Sequence, residues 1–152
     1  MAGPPHVLIL RDPRESWKRC SLAPLRGMED IEFREYRIDR QVDATGRILL
    51  NHEAPVLSAA DAGADLMLVD SSWRRLPKLL ETVVGEPVYR SLPALETAFP
   101  RKSRIFEDPE AGLASVEALY AALALLGAPR PELLDAYHFA EAFLAANPDL
   151  PR

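Results

Sequence analysis

Hydrophobic residues along the chain fall into short runs separated by polar turns. Residues 6–10 and 66–70 are almost entirely apolar, which is typical of strands buried on both faces of a parallel sheet. Residues 46–50 form a similar run after a turn, and another extended segment begins at Pro87. Residues 31–41 place apolar side chains nearly at every second position and predict a strand or an extended arm. The pattern therefore predicts several short strands, with residues 66–70 in a central one.

Helical patterns lie between these strands and fill the C-terminal third. The second of four predicted helical segments has Pro77 in its first turn and Gly85 just past its end, which are favoured positions for these residues. Residues 99–112 contain two prolines and no helical or strand period, so we expect a long loop there. Strands and helices alternate, which indicates the α/β class. These four segments are residues 58–63, 76–84, 113–126 and 131–146, and residues 14–22 are a further polar stretch that can form a helix.

Length and composition indicate one globular domain, residues 1–152. The chain has 152 residues and is 48% hydrophobic, so it can bury about 68–70% of its unfolded surface without disulfides, and its 1 Cys cannot form one internally. No run of about 18 apolar residues is present, and the first residues lack a basic segment ahead of an apolar core. We therefore expect a soluble, monomeric, cytoplasmic protein with no membrane partner.

The net charge argues against a general nucleic-acid binder, but the distribution of charge is uneven. The whole chain carries 18 − 23 = −5. Residues 1–104 carry 16 − 15 = +1, whereas residues 105–152 carry 2 − 8 = −6. A basic face in the first two thirds is therefore possible, and a surface of ordinary salt bridges with an acidic helical end is the alternative.

Most familiar catalytic motifs are absent. The chain has no glycine-rich phosphate loop, no His-Glu-x-x-His and no Gly-x-Ser-x-Gly, and its three histidines are too scattered to propose a metal site. Cys20 follows two basic residues, a context that lowers a thiol pKa, but no base lies near it in sequence. Asp70 ends the clearest strand, and ligand crevices of open α/β sheets lie at such strand ends.

Four segments in a fixed order resemble one known family. They read KRCS at 18–21, LVDSSW at 68–73, RSLPAL at 90–95 and LASVEA at 113–118. This order resembles the Tsr3 family of rRNA aminocarboxypropyltransferases, with its early Lys-Cys-Ser/Thr-Gly, its strand ending in Asp-Cys-Ser-Trp, its Arg-x-Leu-Pro-x-Leu and its Leu-Ser-x-x-Glu-Ala helix. Each segment alone occurs by chance, so the order and spacing from about His6 to Leu150 carry the resemblance.

The resemblance implies a SPOUT-like α/β sheet with flanking helices, in which the last two predicted helices form a C-terminal deep trefoil knot. It implies S-adenosylmethionine as the cofactor and transfer of its 3-amino-3-carboxypropyl group to a modified uridine in small-subunit rRNA, a step of ribosome biogenesis. Asp70 and Trp73 are then the candidate catalytic residues. The implied cofactor-binding residues are Ser21, Val69, Asp70, Trp73, Leu92, Ala111 and Ser115.

Elementary chemistry is consistent with these roles. A sulfonium ion is attracted by a carboxylate such as Asp70 and by an aromatic face such as Trp73, the latter by roughly 0.5–2 kcal/mol. The ordinary alternatives are a capping role for Asp70 and packing on the sheet for Trp73. The basic residues that flank the proposed cofactor segments are the candidates for RNA contact: Arg14, Lys18, Arg19, Arg74, Arg75 and Lys78.

The sequence departs from the family pattern at three places, which keeps two other functions open. Ser71 stands where the family has Cys, Leu22 stands where it has Gly, and residues 99–112 lack its Asn-Pro-x-Asn-Tyr-Gly stretch. One alternative is an S-adenosylmethionine-dependent RNA methyltransferase of the same knotted class. The other is a non-catalytic relative that binds RNA or the ribosome.

Overall fold

The chain folds into strands and helices that alternate in sequence. A computed structural model describes residues 5–99 and 113–152. The strands in these ranges are β1 (Val7–Arg11), β2 (Ile31–Glu35), β3 (Val42–Asp43), β4 (Arg47–Leu50), β5 (Asp65–Asp70), β6 (Val83–Val84) and β7 (Val88–Arg90). The α-helices are α1 (Leu76–Leu80), α2 (Ser115–Leu125) and α3 (Ala140–Ala146), and the 3₁₀ helices are Trp17–Arg19, Ala23–Leu25, Ala59–Asp61 and Pro131–Leu134.

Five of the strands form one parallel sheet in the order β2-β1-β5-β4-β7. In the register of the two central strands, Val7 lies opposite Leu66 and Arg11 lies opposite Asp70. β3 and β6 form a separate two-stranded parallel sheet. The predicted α/β class and the central place of residues 66–70 are thereby confirmed. Because all five strands run the same way, their C-terminal ends meet at one side of the sheet, here called the carboxyl edge and marked by Arg11, Glu35, Leu50, Asp70 and Arg90.

Apolar side chains cover both faces of the large sheet. On one face, residues such as Ile9, Leu66 and Leu68 pack with α2 in a single core cluster. On the other face, Leu8, Leu10 and Met67 pack with Leu79 of α1. Each fully buried leucine or isoleucine contributes about 1.5–3 kcal/mol by leaving water. Burial of both faces explains why the sequences of β1 and β5 show no polar alternation.

Helix α2 is buried almost all round, since the sheet covers one side and the C-terminal segment covers the other. Residues 119–124 of this helix are at most 1% exposed. Leu133 and Phe143 belong to the same core cluster as α2. The Tyr120 and Phe143 rings meet edge to face with their centroids 6.5 Å apart, a common separation for aromatic pairs. Three alanines among these residues, at positions 121, 122 and 124, permit this close packing. The predicted helix 113–126 is therefore confirmed within two residues at each end.

The predicted helix 76–84 is wrong in its second half. α1 ends at Leu80, the Thr82 hydroxyl donates to the Leu79 carbonyl at 2.7 Å, and Val83–Val84 pairs with β3. Two consecutive valines favour strand geometry, and the strand pairing outweighs the helical continuation suggested by Gly85.

The predicted helix 131–146 is two helices. Pro131–Leu134 is a 3₁₀ helix and α3 begins only at Ala140. Between them, Tyr137 N–H donates to the Leu134 carbonyl, so the chain follows a tighter path there. The rings of Tyr137, His138 and Phe99 each pack edge to face against Phe139. Aromatic packing thus replaces the regular helical spacing.

Other predictions were met in part. The predicted strand 31–41 is shorter, since β2 ends at Glu35 and Tyr36 N–H then donates to the Arg11 carbonyl at 2.8 Å. The predicted cap at Ser58 is confirmed, because its hydroxyl accepts from Ala60 N–H. The predicted loop 99–112 lies outside the described residues except for Phe99. In the described ranges, no helix has the length and apolar character needed to cross a bilayer.

Candidate functional site

A cavity of about 340 Å³ opens at the carboxyl edge, where β4, β5 and β7 end. It exists because β4 and β5 are paired only as far as Leu49 and Met67, so the last residues of β5 run beyond their neighbour. The chain after β4 leaves through a tight turn in which the Asn51 side chain accepts from Glu53 N–H at 2.9 Å. The described residues that line the cavity are Leu50, Asn51, His52, Leu68, Val69, Leu76, Ser91, Leu92, Pro93, Ala94, Leu95, Leu113 and Ala118.

The segment that follows β7 forms one wall of the cavity. Ser91 is fixed in place, because its N–H donates to the Pro55 carbonyl, its carbonyl accepts from Leu57 N–H and its hydroxyl donates to the Ala54 carbonyl. The next residues are less constrained: Leu92 and Leu95 N–H have no hydrogen-bond partner among residues 5–99 and 113–152. Main-chain N–H groups beside a cavity readily donate to the edge of a planar ligand.

The opposite wall is formed by α1 and α2. Leu76 comes from the first turn of α1, and Ala118 comes from the second turn of α2. Because Ala118 has only a methyl side chain, it leaves room between α2 and Leu68. An apolar pocket of this size with a few convergent polar groups suits a nucleobase or another small planar ligand.

A polar cluster lies beside the cavity, at the ends of β1 and β5. Asp70 is 9% exposed and accepts from the Ser115 hydroxyl at 2.9 Å and from the Cys20 thiol at 3.4 Å. Arg11 is 1% exposed and its Nε lies 3.8 Å from Asp70 Oδ2. The chain leaves β1 towards β2 and leaves β5 towards β7, so the two connections run in opposite directions along the sheet. In open α/β sheets, ligand crevices form at such a point. Asp70 thus joins β5 to β1, to the loop at Cys20 and to the start of α2.

These contacts change the chemistry expected at Asp70 and Cys20. Asp70 is charge-compensated by Arg11, so its pull on a bound cation is smaller than that of an isolated carboxylate. Burial raises the pKa of the Cys20 thiol, and the Asp70 charge raises it further. The expectation that neighbouring basic residues lower this pKa is therefore wrong, since the thiol lies against a carboxylate. Burial, together with Asp70 and Asp12, also raises the pKa of Glu15.

A second buried carboxylate, Asp12, joins the loops that follow β1 and β5. It accepts from Arg14 N–H at 3.1 Å and pairs with the Arg75 guanidinium. Beside it, Trp17 lies between two guanidiniums, with Arg11 Cζ 3.7 Å and Arg26 Cζ 4.2 Å from the ring centroid. Cation–π contacts and ion pairs therefore hold the surface around the polar cluster in a defined arrangement.

The predicted cofactor residues that the structure describes lie at this edge in three groups. Val69 and Leu92 line the cavity. Asp70 and Ser115 bond to each other beside it, and the Ser21 hydroxyl accepts from Val116 N–H at 3.1 Å, so Ser21 meets the first turn of α2. Trp73 lies in the turn between β5 and α1, is 39% exposed, and is not among the described residues lining the cavity. Ala111 lies outside the described residues.

The predicted RNA-contacting residues also lie near this edge. Arg14 and Lys18 are exposed in the segment after β1, and Arg74 and Lys78 are exposed in and before α1, which follows β5. Arg75 differs, because its guanidinium is paired with Asp12. The Arg19 side chain lies outside the described part of the structure.

Two residues that sequence reasoning gave no role hold the cavity wall in place. Glu117 is fully buried and accepts from Thr97, Ala98 and Ala114. Asn147 accepts from Glu96 N–H at 2.9 Å and donates to the Glu96 carbonyl at 2.8 Å. The signal for Glu117 is a single carboxylate inside an apolar helix, three residues after its start at Ala114, where a glutamate accepts from the first N–H group. For Asn147 the signal is the Phe-Leu-x-x-Asn stretch at 143–147, which falls where the Tsr3 family has similar residues.

Comparison with known proteins supports the fold. No protein-family model matches the chain, and no curated protein matches it in sequence. Among solved structures, the chain is similar to the SAM-dependent rRNA:acp-transferase Tsr3 from Vulcanisaeta distributa, with a TM-score of 0.74 and 24% identity. The match covers 96% of this chain and 80% of that chain. The Tsr3-like fold expected from the four sequence segments is therefore confirmed.

Proposed function

We propose that the cavity at the carboxyl edge binds S-adenosylmethionine and that the protein is an S-adenosylmethionine-dependent transferase acting on RNA. The observation that carries this proposal is the position of the cavity: residues of three of the four segments that resemble the Tsr3 family line it, in a fold shared with a SAM-dependent rRNA:acp-transferase. Val69 and Leu92, two cofactor positions implied by the resemblance, line it.

The residues present fit such a ligand. The N–H groups of Leu92 and Leu95 are available to an adenine edge, and apolar side chains such as Leu50, Leu68 and Leu113 are suited to its faces. The bound ligand supplies a carbon that is activated by the adjacent sulfonium. The protein's task is then mainly alignment, which needs no strong base of its own.

We assign the remaining cofactor contacts to residues beside the cavity. Asp70 keeps a negative charge near the sulfonium, and Ser115 and Cys20 hold that carboxylate in place. Trp73 contacts the ligand from the rim through its exposed ring. Ser21 and Ala111 complete the binding set, and Asp70 and Trp73 are the residues that contact the reacting groups.

We further propose that the transferred group is 3-amino-3-carboxypropyl and that the acceptor is a modified uridine of small-subunit rRNA, a role in ribosome biogenesis. Arg14, Lys18, Arg19, Arg74 and Lys78 then contact RNA phosphates, and Arg75 organises the loops through Asp12.

We propose a single SPOUT-like domain over residues 1–152, monomeric and cytoplasmic. In this proposal, α2 and the following C-terminal segment form a deep trefoil knot. Asn147 bonds to Glu96 and so ties the segment after α3 to the segment after β7.

An isotope experiment separates the candidate activities. Purified protein is incubated with small-subunit rRNA and S-adenosylmethionine labelled either in the methyl group or in the carboxyl carbon. Aminocarboxypropyl transfer moves only the carboxyl label into RNA, and methyl transfer moves only the methyl label. Digestion and mass spectrometry of the nucleosides then identify the acceptor.

Three outcomes would contradict parts of this proposal. Methyl label in RNA makes the protein a methyltransferase. Cofactor binding by calorimetry with no label in any RNA supports the binding relative. If calorimetry detects no binding of S-adenosylmethionine, the cavity assignment is wrong.

A further inference from the structure

We infer that Glu117 is a positioning residue: its buried carboxylate fixes the two chain segments that form the walls of the ligand cavity. One segment, residues 92–98, follows β7, and the other, residues 113–118, leads into α2. Both contribute residues to the cavity, including Leu92, Leu95, Leu113 and Ala118. The inference rests on the proposed function for the nature of the ligand, but not for the structural role.

Glu117 satisfies donors from both segments at once. Its Oε1 accepts from the Thr97 hydroxyl at 2.6 Å and from Ala114 N–H at 2.8 Å, and its Oε2 accepts from Ala98 N–H at 2.9 Å. Two of these donors are main-chain groups, which only a substitution by proline at their own positions would remove. A single carboxylate therefore determines how far apart the two segments lie.

The environment of Glu117 makes this contact difficult to replace. The residue is 0% exposed, and within the described ranges no cation pairs with it, so hydrogen bonds stabilise the carboxylate in the interior. Tyr137 lies close by: burial raises the pKa of its hydroxyl, and the Glu117 charge raises it further, so the hydroxyl stays protonated. Loss of the carboxylate would leave three donors, from the two segments, without this acceptor.

Asn147 supports the same segment from the other side. Its two hydrogen bonds to Glu96 fix the residue that precedes Thr97, and a third joins its side-chain amide to the Phe143 carbonyl at 2.9 Å. Residues 96–98 are thus held between α2 and the segment after α3. Because Leu95 is adjacent to this anchor, a shift of the anchor moves the cavity wall directly.

The chemistry of the anchor distinguishes it from ordinary core packing. Glu117→Gln keeps the size of the side chain but turns one acceptor oxygen into an NH₂ donor, which then faces another donor. Thr97→Val keeps the shape of Thr97 and removes its hydroxyl. Glu117 and Thr97 bond to each other, so both substitutions remove the same contact and we expect their effects to be non-additive.

The experiment measures two properties of four variants: Glu117→Gln, Thr97→Val, the double variant, and Leu133→Ala. Leu133 is 2% exposed in the same core cluster and does not line the cavity, so Leu133→Ala serves as the control for general loss of stability. Hydrogen exchange reports the protection of amides 92–98 and 113–118 in the free protein. Calorimetry at a temperature well below every unfolding midpoint reports S-adenosylmethionine affinity.

We expect Glu117→Gln to lose protection selectively at the Ala98 and Ala114 amides, which donate to the carboxylate, and to lose at least tenfold in affinity, with Thr97→Val showing a smaller loss of affinity. Leu133→Ala should lower the unfolding midpoint and leave both properties near wild type. Unchanged protection in Glu117→Gln, or an equal loss in Leu133→Ala, would overturn the inference. If the wild-type protein binds no S-adenosylmethionine, the proposed function fails, while the hydrogen-exchange comparison still decides the role of Glu117.

Discussion

At the carboxyl edge, the pKa and the contacts of a side chain depend on the residues that surround it in the fold. Cys20 stands beside two basic residues in sequence, yet its thiol contacts the Asp70 carboxylate. A loop residue is placed by the fold rather than by the charges adjacent in sequence. For that reason the direction of its pKa shift could not be predicted from the sequence.

The first prediction concerns the reactivity of Cys20. Burial and then Asp70 raise its pKa above the ordinary 9.0, so we expect slow alkylation by iodoacetamide near neutral pH and a rate–pH midpoint above that of a free cysteine. Asp70→Asn should move the midpoint down, because it removes the neighbouring charge. Ser115→Ala is the control, since it removes a contact of Asp70 and keeps the charge. An unchanged midpoint in Asp70→Asn would rule out the assigned electrostatic cause.

The sign of the effect on stability follows from the same shift. The folded protein holds the thiol proton more tightly than the unfolded chain does. The stabilisation associated with this proton is therefore complete below the unfolded pKa and is lost as the pH rises through the folded value. Urea unfolding across the alkaline range should show a loss in the wild-type protein that is absent in Cys20→Ser.

The second prediction concerns Gly85, which follows β6. Its φ is +90°, and a Cβ there would lie 2.2 Å from Thr45 Oγ1 and 2.3 Å from Asp43 Oδ1. We expect Gly85→Ala to destabilise the protein by more than the 1–3 kcal/mol typical of a left-handed residue alone, since it adds a steric clash. Gly63→Ala is the matched control, because Gly63 has a φ of +93° and open space around it. Equal losses of unfolding free energy in the two variants would show that the clash is relieved at no cost.

At the scale of elements, the sequence predicted what burial determines. β1 and β5 are continuous apolar runs because both faces of the sheet are covered. The length of α2 could be predicted because apolar residues occur along the whole helix. Elements that depend on particular partners were missed. Val83–Val84 becomes a strand because β3 lies beside it, and residues 135–139 leave the helical path because aromatic rings pack there.

The candidate site was predictable to a similar extent. The sequence placed Asp70 at a strand end and placed Val69 and Leu92 at the ligand, and these last two do line the cavity. It did not predict that Arg11 compensates Asp70, since that pairing depends on the register between β1 and β5. It also gave no role to Glu117, whose three donors come from segments up to 20 residues away.

The third prediction tests the contribution of α2 to the cavity. Ala118 lines it and is half-buried, so Ala118→Leu should place three additional carbon atoms in the ligand space. We expect at least a tenfold loss of S-adenosylmethionine affinity by calorimetry, with little change in the unfolding midpoint because the side chain enters open volume. Ala142→Leu, on the exposed face of α3, is the control for adding a leucine to a helix. Wild-type affinity in Ala118→Leu would place the ligand elsewhere.

At the scale of the whole molecule, charge is separated along the chain. The C-terminal third carries most of the net negative charge, and exposed basic residues collect on the segments after β1 and β5. Both segments leave the same edge of the sheet, beside the cavity. A polyanionic partner that approaches this edge therefore meets a local positive surface in spite of the net charge of −5.

The last prediction is that RNA binds at this surface through its phosphates. If Arg14 and Lys18 each contact a phosphate, log affinity should fall linearly with log salt concentration, and each charge-reversing substitution should reduce the slope by about one unit. Arg14→Glu and Lys18→Glu should weaken RNA binding across sequences and leave S-adenosylmethionine affinity unchanged, because neither residue lines the cavity. Arg152→Glu, an equal charge change at the far end of the chain, is the control. Filter binding at four salt concentrations measures the slopes. A slope that does not change in Arg14→Glu or Lys18→Glu, or an equal change in Arg152→Glu, would show that net charge rather than this edge governs the interaction.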